Sequence, residues 1–220
     1  MKIYSHHGID DFVICCGYKG HMIKEYFVNY AMHNSSITVD MASGNQVVHS
    51  TQSEPWRVTL VDTGDGTGTA GRLSRVRDFI GDETFCFTYG DGLSDVDVGK
   101  LVEHHEAAGR LLTVTAVLPP NRYGVIQFED GDGTGVKEFQ EKPSDNAWIN
   151  GGYFVVDPKL LDYVDDDSGM FEDELMSRVV GEGQLNSYRH HGFWQCMDTL
   201  REKNLLEDLW NRSEAPWRLW

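Results

Sequence analysis

The stretch Phe85-Cys-Phe-Thr-Tyr-Gly-Asp-Gly92 decides the fold, because a strand pattern ends there beside a carboxylate. Its first five residues are apolar, aromatic or β-branched, which predicts a strand buried on both faces of a parallel sheet. Glycines on either side of Asp91 let the backbone and a ligand approach it closely. In open α/β sheets, ligands bind beyond the carboxyl ends of the strands. Asp91 is therefore either a metal or ribose ligand at a sheet edge or a turn residue that bonds its own backbone.

The composition is that of a folded, acidic chain of 220 residues, of which 40% are hydrophobic. The 35 acidic residues outnumber the 19 Lys and Arg residues, and the net charge of −16 argues against binding to nucleic acid. No apolar run approaches the roughly 18 residues of a membrane span, so no membrane association is expected. The N-terminus has no secretory signal pattern, and the four cysteines lack Cys-x-x-Cys spacing, which indicates a reducing cytoplasm.

Strand and helix patterns alternate along the chain, which predicts an α/β fold with a Rossmann-like mixed, mostly parallel sheet flanked by helices. The predicted strands are 9–16, 58–61, 85–89, 111–118, 153–156 and 184–188, and residues 123–128 and 136–139 form a predicted hairpin. The predicted helices are 1–7, 19–30, a run ending near 80, 97–108, 171–180 and 199–210. We expect a single domain over residues 1–220, in which residues 199–220 are a C-terminal helix and an aromatic tail that docks on the body or on another subunit.

A glycine-rich segment, Gly64–Leu73, precedes a predicted helix. Such a turn offers backbone N–H groups to an anion or packs closely on a nucleobase. Gly66, Gly68 and Gly71 also match the dinucleotide fingerprint, with Asp91 about 20 residues further on. The segment is therefore a nucleotide loop, the cofactor loop of an NAD-dependent oxidoreductase, or a flexible loop without a ligand. It contains no Gly-Lys-Ser/Thr, which excludes a Walker loop.

A second informative stretch ends at Asp198, which could cap the helix that follows, bind a metal ion, or do both through different oxygens. Asp91 and Asp198 come from separate strand ends and together suit one Mg²⁺, which prefers a few carboxylates plus water and phosphate oxygens. Lys142, between Glu141 and a proline, is either a phosphate-neutralising residue or an ordinary exposed lysine. Two carboxylates, a cation and a glycine-rich loop are the equipment for nucleotidyl transfer between phosphates.

Seven stretches carry a resemblance that spans nearly the whole chain. They are Phe12–Gly20, Leu60–Leu73, Phe87–Asp91, Arg122–Val125, Phe139–Pro143, Ile149–Phe154 and Phe193–Arg201. With them the chain resembles the sugar-1-phosphate nucleotidyltransferase family. The Leu60–Leu73 and Phe193–Arg201 stretches are typical of its cytidylyl-transferring branch, although Ala70 stands where that branch usually has glycine.

The resemblance implies a role for each matching position. Asp91 and Asp198 would bind Mg²⁺, and Lys142 would contact the sugar phosphate and take part in catalysis together with Asp91. The sugar would be contacted by Gly124, Glu141, Asn150 and Gly151. The nucleotide would be contacted by Gly71 and Arg72. The implied reaction joins CTP and α-D-glucose 1-phosphate to give CDP-glucose and pyrophosphate, for the dideoxysugars of bacterial surface polysaccharide such as the O antigen of lipopolysaccharide. A homo-oligomer is implied as well.

The family pattern begins with a strand, a G-G-x-G-T-R-L loop and a P-K-P segment that supply the main triphosphate contacts. These motifs are not among the 220 residues. We therefore expect an N-terminally truncated domain that lacks the first strand and the phosphate loop, binds CTP weakly and turns over little. The alternative function is a non-catalytic sugar-nucleotide-binding fragment or assembly subunit of the same family.

Overall fold

The computed structural model describes residues 1–119, 125–128, 136–140, 148–164 and 169–220. Its helices are α1 (Lys2–His6), α2 (Gly20–Val28), α3 (Tyr30–His33), α4 (Thr69–Arg75), α5 (Arg77–Ile80), α6 (Val98–Ala108), α7 (Met176–Gly181) and α8 (Leu200–Asn211), with a 3₁₀-helix at Pro158–Tyr163 and a π-helical turn at Phe171–Leu175. Its strands are β1 (Asp11–Cys16), β2 (Ser35–Val39), β3 (Gln46–Thr51), β4 (Arg57–Asp62), β5 (Phe85–Thr88), β6 (Gly92–Ser94), β7 (Leu112–Val117), β8 (Val125–Phe128), β9 (Val136–Gln140), β10 (Ile149–Val156), β11 (Leu185–His190) and β12 (Trp194–Cys196). Among the described helices, none has both the length and the apolar character that crossing a bilayer requires.

The contacts group the chain into two compact units. The first unit comprises Met1–Phe85 and Asp157–Gln184, and the second comprises Cys86–Val156 and Leu185–Trp220. Because one domain can contain two such units, the expectation of a single domain stays a prediction.

In the first unit, β1 and β4 pair in parallel, from Asp11 opposite Arg57 to Cys16 opposite Asp62. The glycine-rich segment follows β4 and leads into α4, whose buried side chains include Leu73. Strands β2 and β3 form an antiparallel hairpin whose residues are largely exposed. The strand–loop–helix order predicted for residues 58–80 is confirmed.

In the second unit, four strands form a sheet in the order β11-β7-β10-β5. Strand β7 runs parallel to β11 and antiparallel to β10, so the sheet is mixed and the α/β fold is confirmed. Helix α6 begins after Asp97, whose carboxylate accepts a hydrogen bond from the Lys100 amide at 3.0 Å. Strands β8 and β9 pair antiparallel, which confirms the predicted hairpin.

The environment of β5 differs from the prediction. In the part of the chain that the structure describes, β5 is the last strand of its sheet, its first three residues are half-buried, and Thr88 is exposed. Its apolar character comes from aromatic packing, since the Phe87 and Tyr89 rings contact Phe154 of β10 with centroid distances of 5.3 and 5.6 Å. Full burial on both faces of a parallel sheet is therefore wrong for this strand.

The aromatic tail docks on the second unit. Trp217 is 4% exposed, and its ring lies 5.3 Å from that of Phe193, measured between centroids. Arg218 lies over the Trp210 ring of α8, at 4.6 Å. Of the two predicted positions for the tail, the structure shows the one on the body of the chain.

Candidate functional site

The predicted metal ligands lie at one end of a short antiparallel ribbon formed by β6 and β12. Its register places Gly92 opposite Cys196 and Ser94 opposite Trp194. The pairing continues for one more residue, because the Met197 amide donates to the Asp91 carbonyl oxygen at 2.8 Å. Asp91 therefore directly precedes strand β6, Asp198 lies two residues after the end of strand β12, and both are at the same end of the ribbon.

This arrangement suits a shared cation. Antiparallel partners that exchange a hydrogen bond have Cα atoms about 5.5 Å apart, and consecutive Cα atoms are about 3.8 Å apart. The Cα atoms of Asp91 and Asp198 are thus separated by at most about 9 Å, which two aspartate side chains can span around one ion. Both residues are exposed, and carboxylate oxygens are the ligands that Mg²⁺ prefers. The donor set fits Mg²⁺, and its binding by this pair stays a prediction.

Asp198 does not cap helix α8, so that alternative is wrong. Thr199 is the N-cap: its hydroxyl accepts from the Glu202 amide at 3.3 Å, and the Glu202 carboxylate accepts from the Thr199 amide at 2.8 Å. This reciprocal capping box satisfies the first turn without Asp198. The exposed Asp198 carboxylate is therefore not required for the helix start.

Glu202 lies near Asp198 but serves the fold. Possible ligand atoms of Cys196, Asp198 and Glu202 lie within 4.8 Å of one another. Glu202 is only 4% exposed, however, and its carboxylate accepts from Thr199 and from the side-chain nitrogen Nε2 of Gln195, the latter at 3.3 Å. A carboxylate so engaged is a structural acceptor rather than an open metal ligand.

The predicted sugar-binding residues Asn150 and Gly151 lie in a bulge of β10. The register against β7 shifts between Asn150 and Phe154, and Gly152 has a φ of +75° that favours glycine. The Asn150 side-chain oxygen accepts from the Gly152 amide at 2.8 Å. The Gly152 carbonyl accepts from the Tyr89 amide at 3.2 Å, which joins the bulge to the end of β5.

Two aromatic side chains connect this bulge with the β6–β12 ribbon. The Trp194 indole nitrogen donates to the Gly151 carbonyl at 2.7 Å, and the Tyr153 hydroxyl donates to the Gly92 carbonyl at 3.0 Å. Burial raises the pKa of the Tyr153 hydroxyl, so this group stays a neutral donor. Sequence reasoning missed both residues, although each lies in a stretch that carries the family resemblance.

Gly151 is closely packed, and we expect Gly151→Ala to destabilise the fold. A Cβ there would lie 2.7 Å from Val117 Cγ1 and 3.0 Å from the Thr115 carbonyl oxygen. Overpacking of this kind costs about 1–3 kcal/mol, which lowers the melting temperature by roughly 3–10 °C. Thermal unfolding followed by circular dichroism measures the shift. Gly181→Ala, where a Cβ meets nothing within 4 Å, is the control, and equal melting temperatures would contradict the expectation.

In the first unit, Arg72 holds the glycine-rich segment together. Its guanidinium donates to the Thr63 hydroxyl at 2.7 Å and to the Asp65 carbonyl at 3.3 Å. It also occupies the space beside Gly17, where a Cβ would clash with it. Gly71 is buried within α4. The nucleotide contacts of Gly71 and Arg72 stay predictions, and the contacts seen are structural.

The amide at the start of α4 is engaged within the chain. The Ala70 amide donates to the Gly169 carbonyl at 3.2 Å, and the Thr69 hydroxyl accepts from the Phe171 amide at 2.8 Å. The segment therefore packs against residues 169–171 at the point where we expected N–H groups open to an anion. Three further predicted site residues, Gly124, Glu141 and Lys142, lie outside the described residues.

Comparisons with known proteins identify the family. The model of the nucleotidyl transferase family matches residues 1–200. The chain is 50% identical over 222 residues to the glucose-1-phosphate cytidylyltransferase of Salmonella typhi, covering all of this chain and 85% of that protein. It is 43% identical to a probable glucose-1-phosphate cytidylyltransferase of Bacillus subtilis, again covering all of this chain and 85% of the relative.

Solved structures show the same fold. HddC from Yersinia pseudotuberculosis superimposes with a TM-score of 0.65 at 16% identity, covering 93% of this chain and 80% of that one. A putative glucose-1-phosphate thymidylyltransferase from Bacillus anthracis gives a TM-score of 0.59 at 19% identity, covering 99% and 80%. The oxidoreductase interpretation of the glycine-rich segment is excluded by the family match over residues 1–200. The chain belongs to the nucleotidyl transferase family.

Proposed function

We propose that this protein transfers the cytidylyl group of CTP to α-D-glucose 1-phosphate, giving CDP-glucose and pyrophosphate. The observation that carries the proposal is the 50% identity, over the whole chain, with a glucose-1-phosphate cytidylyltransferase. More distant relatives at 27% identity are mannose-1-phosphate guanyltransferases, so both the base and the sugar vary among the relatives. The choice of cytosine as the base and glucose as the sugar therefore follows the relatives that match the full chain.

The chemistry is a single displacement at phosphorus. A phosphate oxygen of glucose 1-phosphate attacks the α-phosphorus of CTP, a new P–O bond forms, and the bond to the pyrophosphate leaving group breaks. Charge is spread over phosphate oxygens throughout, so catalysis is mostly positioning and charge neutralisation. When bound, Mg²⁺ supplies positive charge to these oxygens. Asp91 and Asp198 would hold it at the end of the β6–β12 ribbon.

Asn150 and its neighbours supply a surface for the sugar. The Asn150 side-chain oxygen is fixed by the Gly152 amide, which orients the side-chain nitrogen as a donor for a sugar hydroxyl. Gly151 is buried against β7, and its contact with the sugar is proposed from the family resemblance alone. Glu141 would accept from the sugar hydroxyls, and Gly124 would line the same pocket, as the family resemblance implies.

The net charge of −16 opposes an anionic substrate, so local cations must offset the repulsion. Lys142 is proposed to neutralise the sugar phosphate, and Arg72 to lie near the nucleotide together with Gly71. We also propose, from the family resemblance, that the protein acts in the cytoplasm as a homo-oligomer. Its product would supply dideoxysugar synthesis for bacterial surface polysaccharide.

Two measurements test the proposal. Pyrophosphate release is assayed with glucose 1-phosphate, Mg²⁺ and each of CTP, UTP, GTP and dTTP, and CDP-glucose and UDP-glucose are titrated calorimetrically. We expect release with CTP above that with the other nucleotides, and tighter binding of CDP-glucose. Binding of CDP-glucose without release would indicate the non-catalytic alternative, whereas a preference for another base would contradict the cytidylyl assignment.

A further inference from the structure

The β6–β12 ribbon that carries Asp91 and Asp198 is too short to fix its own position. Each strand has three residues, and isolated two-stranded ribbons are marginally stable even when they are longer. The two carboxylates nevertheless have to meet one ion with little freedom, because Mg²⁺ requires near-ideal octahedral geometry. Hydrogen bonds between the ribbon and groups outside it must therefore hold its aspartate end.

Two side chains meet at that end. The Tyr153 hydroxyl donates to the carbonyl of Gly92, the residue directly after Asp91. The Trp194 ring reaches diagonally along the ribbon, so that a Cβ on Gly92 would lie 3.7 Å from its indole nitrogen. That nitrogen donates to the Gly151 carbonyl at 2.7 Å. Both hydrogen bonds thus join the metal end of the ribbon to the β10 bulge.

The bulge is a rigid support. The register of β10 against β7 shifts between Asn150 and Phe154, and within this shift the Gly151 carbonyl accepts from the Trp194 indole. There is little free space on the β7 side of Gly151, since even a Cβ there would lie 2.7 Å from Val117 Cγ1 and 3.0 Å from the Thr115 carbonyl oxygen. The acceptor for Trp194 is thereby fixed on the strand that also carries Asn150.

We propose that Trp194 and Tyr153 are positioning residues, which hold the Asp91–Asp198 pair in register with the sugar-binding bulge through their hydrogen bonds to Gly151 and Gly92. This role rests on the proposed function, because the metal site that the two aromatic residues hold in place is the one that the proposed reaction uses. Loss of either hydrogen bond should leave the fold in place. It should lower the affinity for the cation and displace the bound cation from the sugar phosphate.

The test is Mn²⁺ binding, measured by electron paramagnetic resonance of the free ion, which does not depend on turnover. We expect Trp194→Phe, which keeps an aromatic ring but removes the N–H donor, to weaken Mn²⁺ binding roughly 10-fold, as the loss of groups supporting metal ligands does. Trp210→Phe, the same change at a 41% exposed position of the same unit, is the control. A Trp194→Phe affinity within twofold of the unsubstituted protein, or an equal loss in Trp210→Phe, would overturn the proposal.

Tyr153→Phe gives an independent answer, since it removes only one oxygen. It should also weaken Mn²⁺ binding severalfold, with an unchanged circular dichroism spectrum. If Trp194→Phe fails to fold, the Mn²⁺ affinity of Tyr153→Phe tests the positioning role by itself. Unchanged affinity in this folded variant would overturn the proposal. Mn²⁺ binding that is lost in Asp198→Asn and weakened in Trp194→Phe, without activity toward CTP, would sustain the positioning role while the proposed function fails.

Discussion

We expect Asp91→Asn and Asp198→Asn each to lower the rate of pyrophosphate release from CTP and glucose 1-phosphate by roughly 10²–10⁴-fold, because a metal ion would no longer neutralise the reacting phosphate. The two residues follow separate strands but meet at one end of the β6–β12 ribbon, where the Met197 amide bonds the Asp91 carbonyl. Because they would act on one ion, the double variant should be little worse than either single variant.

Steady-state rates as a function of Mg²⁺ concentration measure this effect. The matched control is Asp208→Asn, which removes an exposed carboxylate of α8 in the same unit and should leave the rate unchanged. Melting temperatures of the two site variants should stay close to that of the unsubstituted protein, because both side chains are exposed. Additive losses in the double variant would show that the two carboxylates do not serve a common ion.

Lys142→Ala should lower turnover with little loss of thermal stability. A charge-assisted hydrogen bond to phosphate is worth roughly 1.5–3 kcal/mol, which corresponds to a roughly 10–100-fold lower rate. A residue that acts on substrate makes this contribution only when the substrate is present, so unfolding of the free protein is unaffected.

The assay for Lys142 compares kcat and KM for glucose 1-phosphate with those of Lys203→Ala. Lys203 is an exposed lysine of α8 whose partner is Glu207, and its removal should leave both constants unchanged. A large drop in melting temperature together with normal turnover would identify Lys142 as a structural residue instead.

Much of the fold was predictable, because the spacing of apolar residues and the positions of the residues that end helices and strands agree along the chain. Helix α6 was expected over 97–108 and begins after Asp97, which supplies the cap. The environment of β5 was not predictable, because a continuous apolar run fits burial in a parallel sheet as well as aromatic packing on Phe154. Helix α8 was expected to begin at residue 199 after Asp198, but it begins one residue later with Thr199 as its cap, because threonine also caps well and only the backbone shows which residue is used.

The charged residues of the candidate site could be named from the sequence, whereas the aromatic residues whose hydrogen bonds hold the β6–β12 ribbon could not. Asp91 stands out in sequence because glycines flank it at a strand end, and Asp198 because it ends a strand pattern before a helix. Trp194 and Tyr153 carry no such signal, because an aromatic residue in a strand usually indicates core packing. Their hydrogen bonds depend on the β10 bulge, and the register shift that forms it is a tertiary feature.

One cation should bind between Asp91 and Asp198, next to the sugar-binding bulge. Anomalous diffraction from crystals grown with Mn²⁺ and CDP-glucose tests it most directly, because the Mn²⁺ signal locates the ion without reference to activity. We expect a single strong peak within about 2.2 Å of a carboxylate oxygen from each aspartate, with the glucose beside Asn150. A peak that contacts neither aspartate, or product bound away from the β10 bulge, would contradict it.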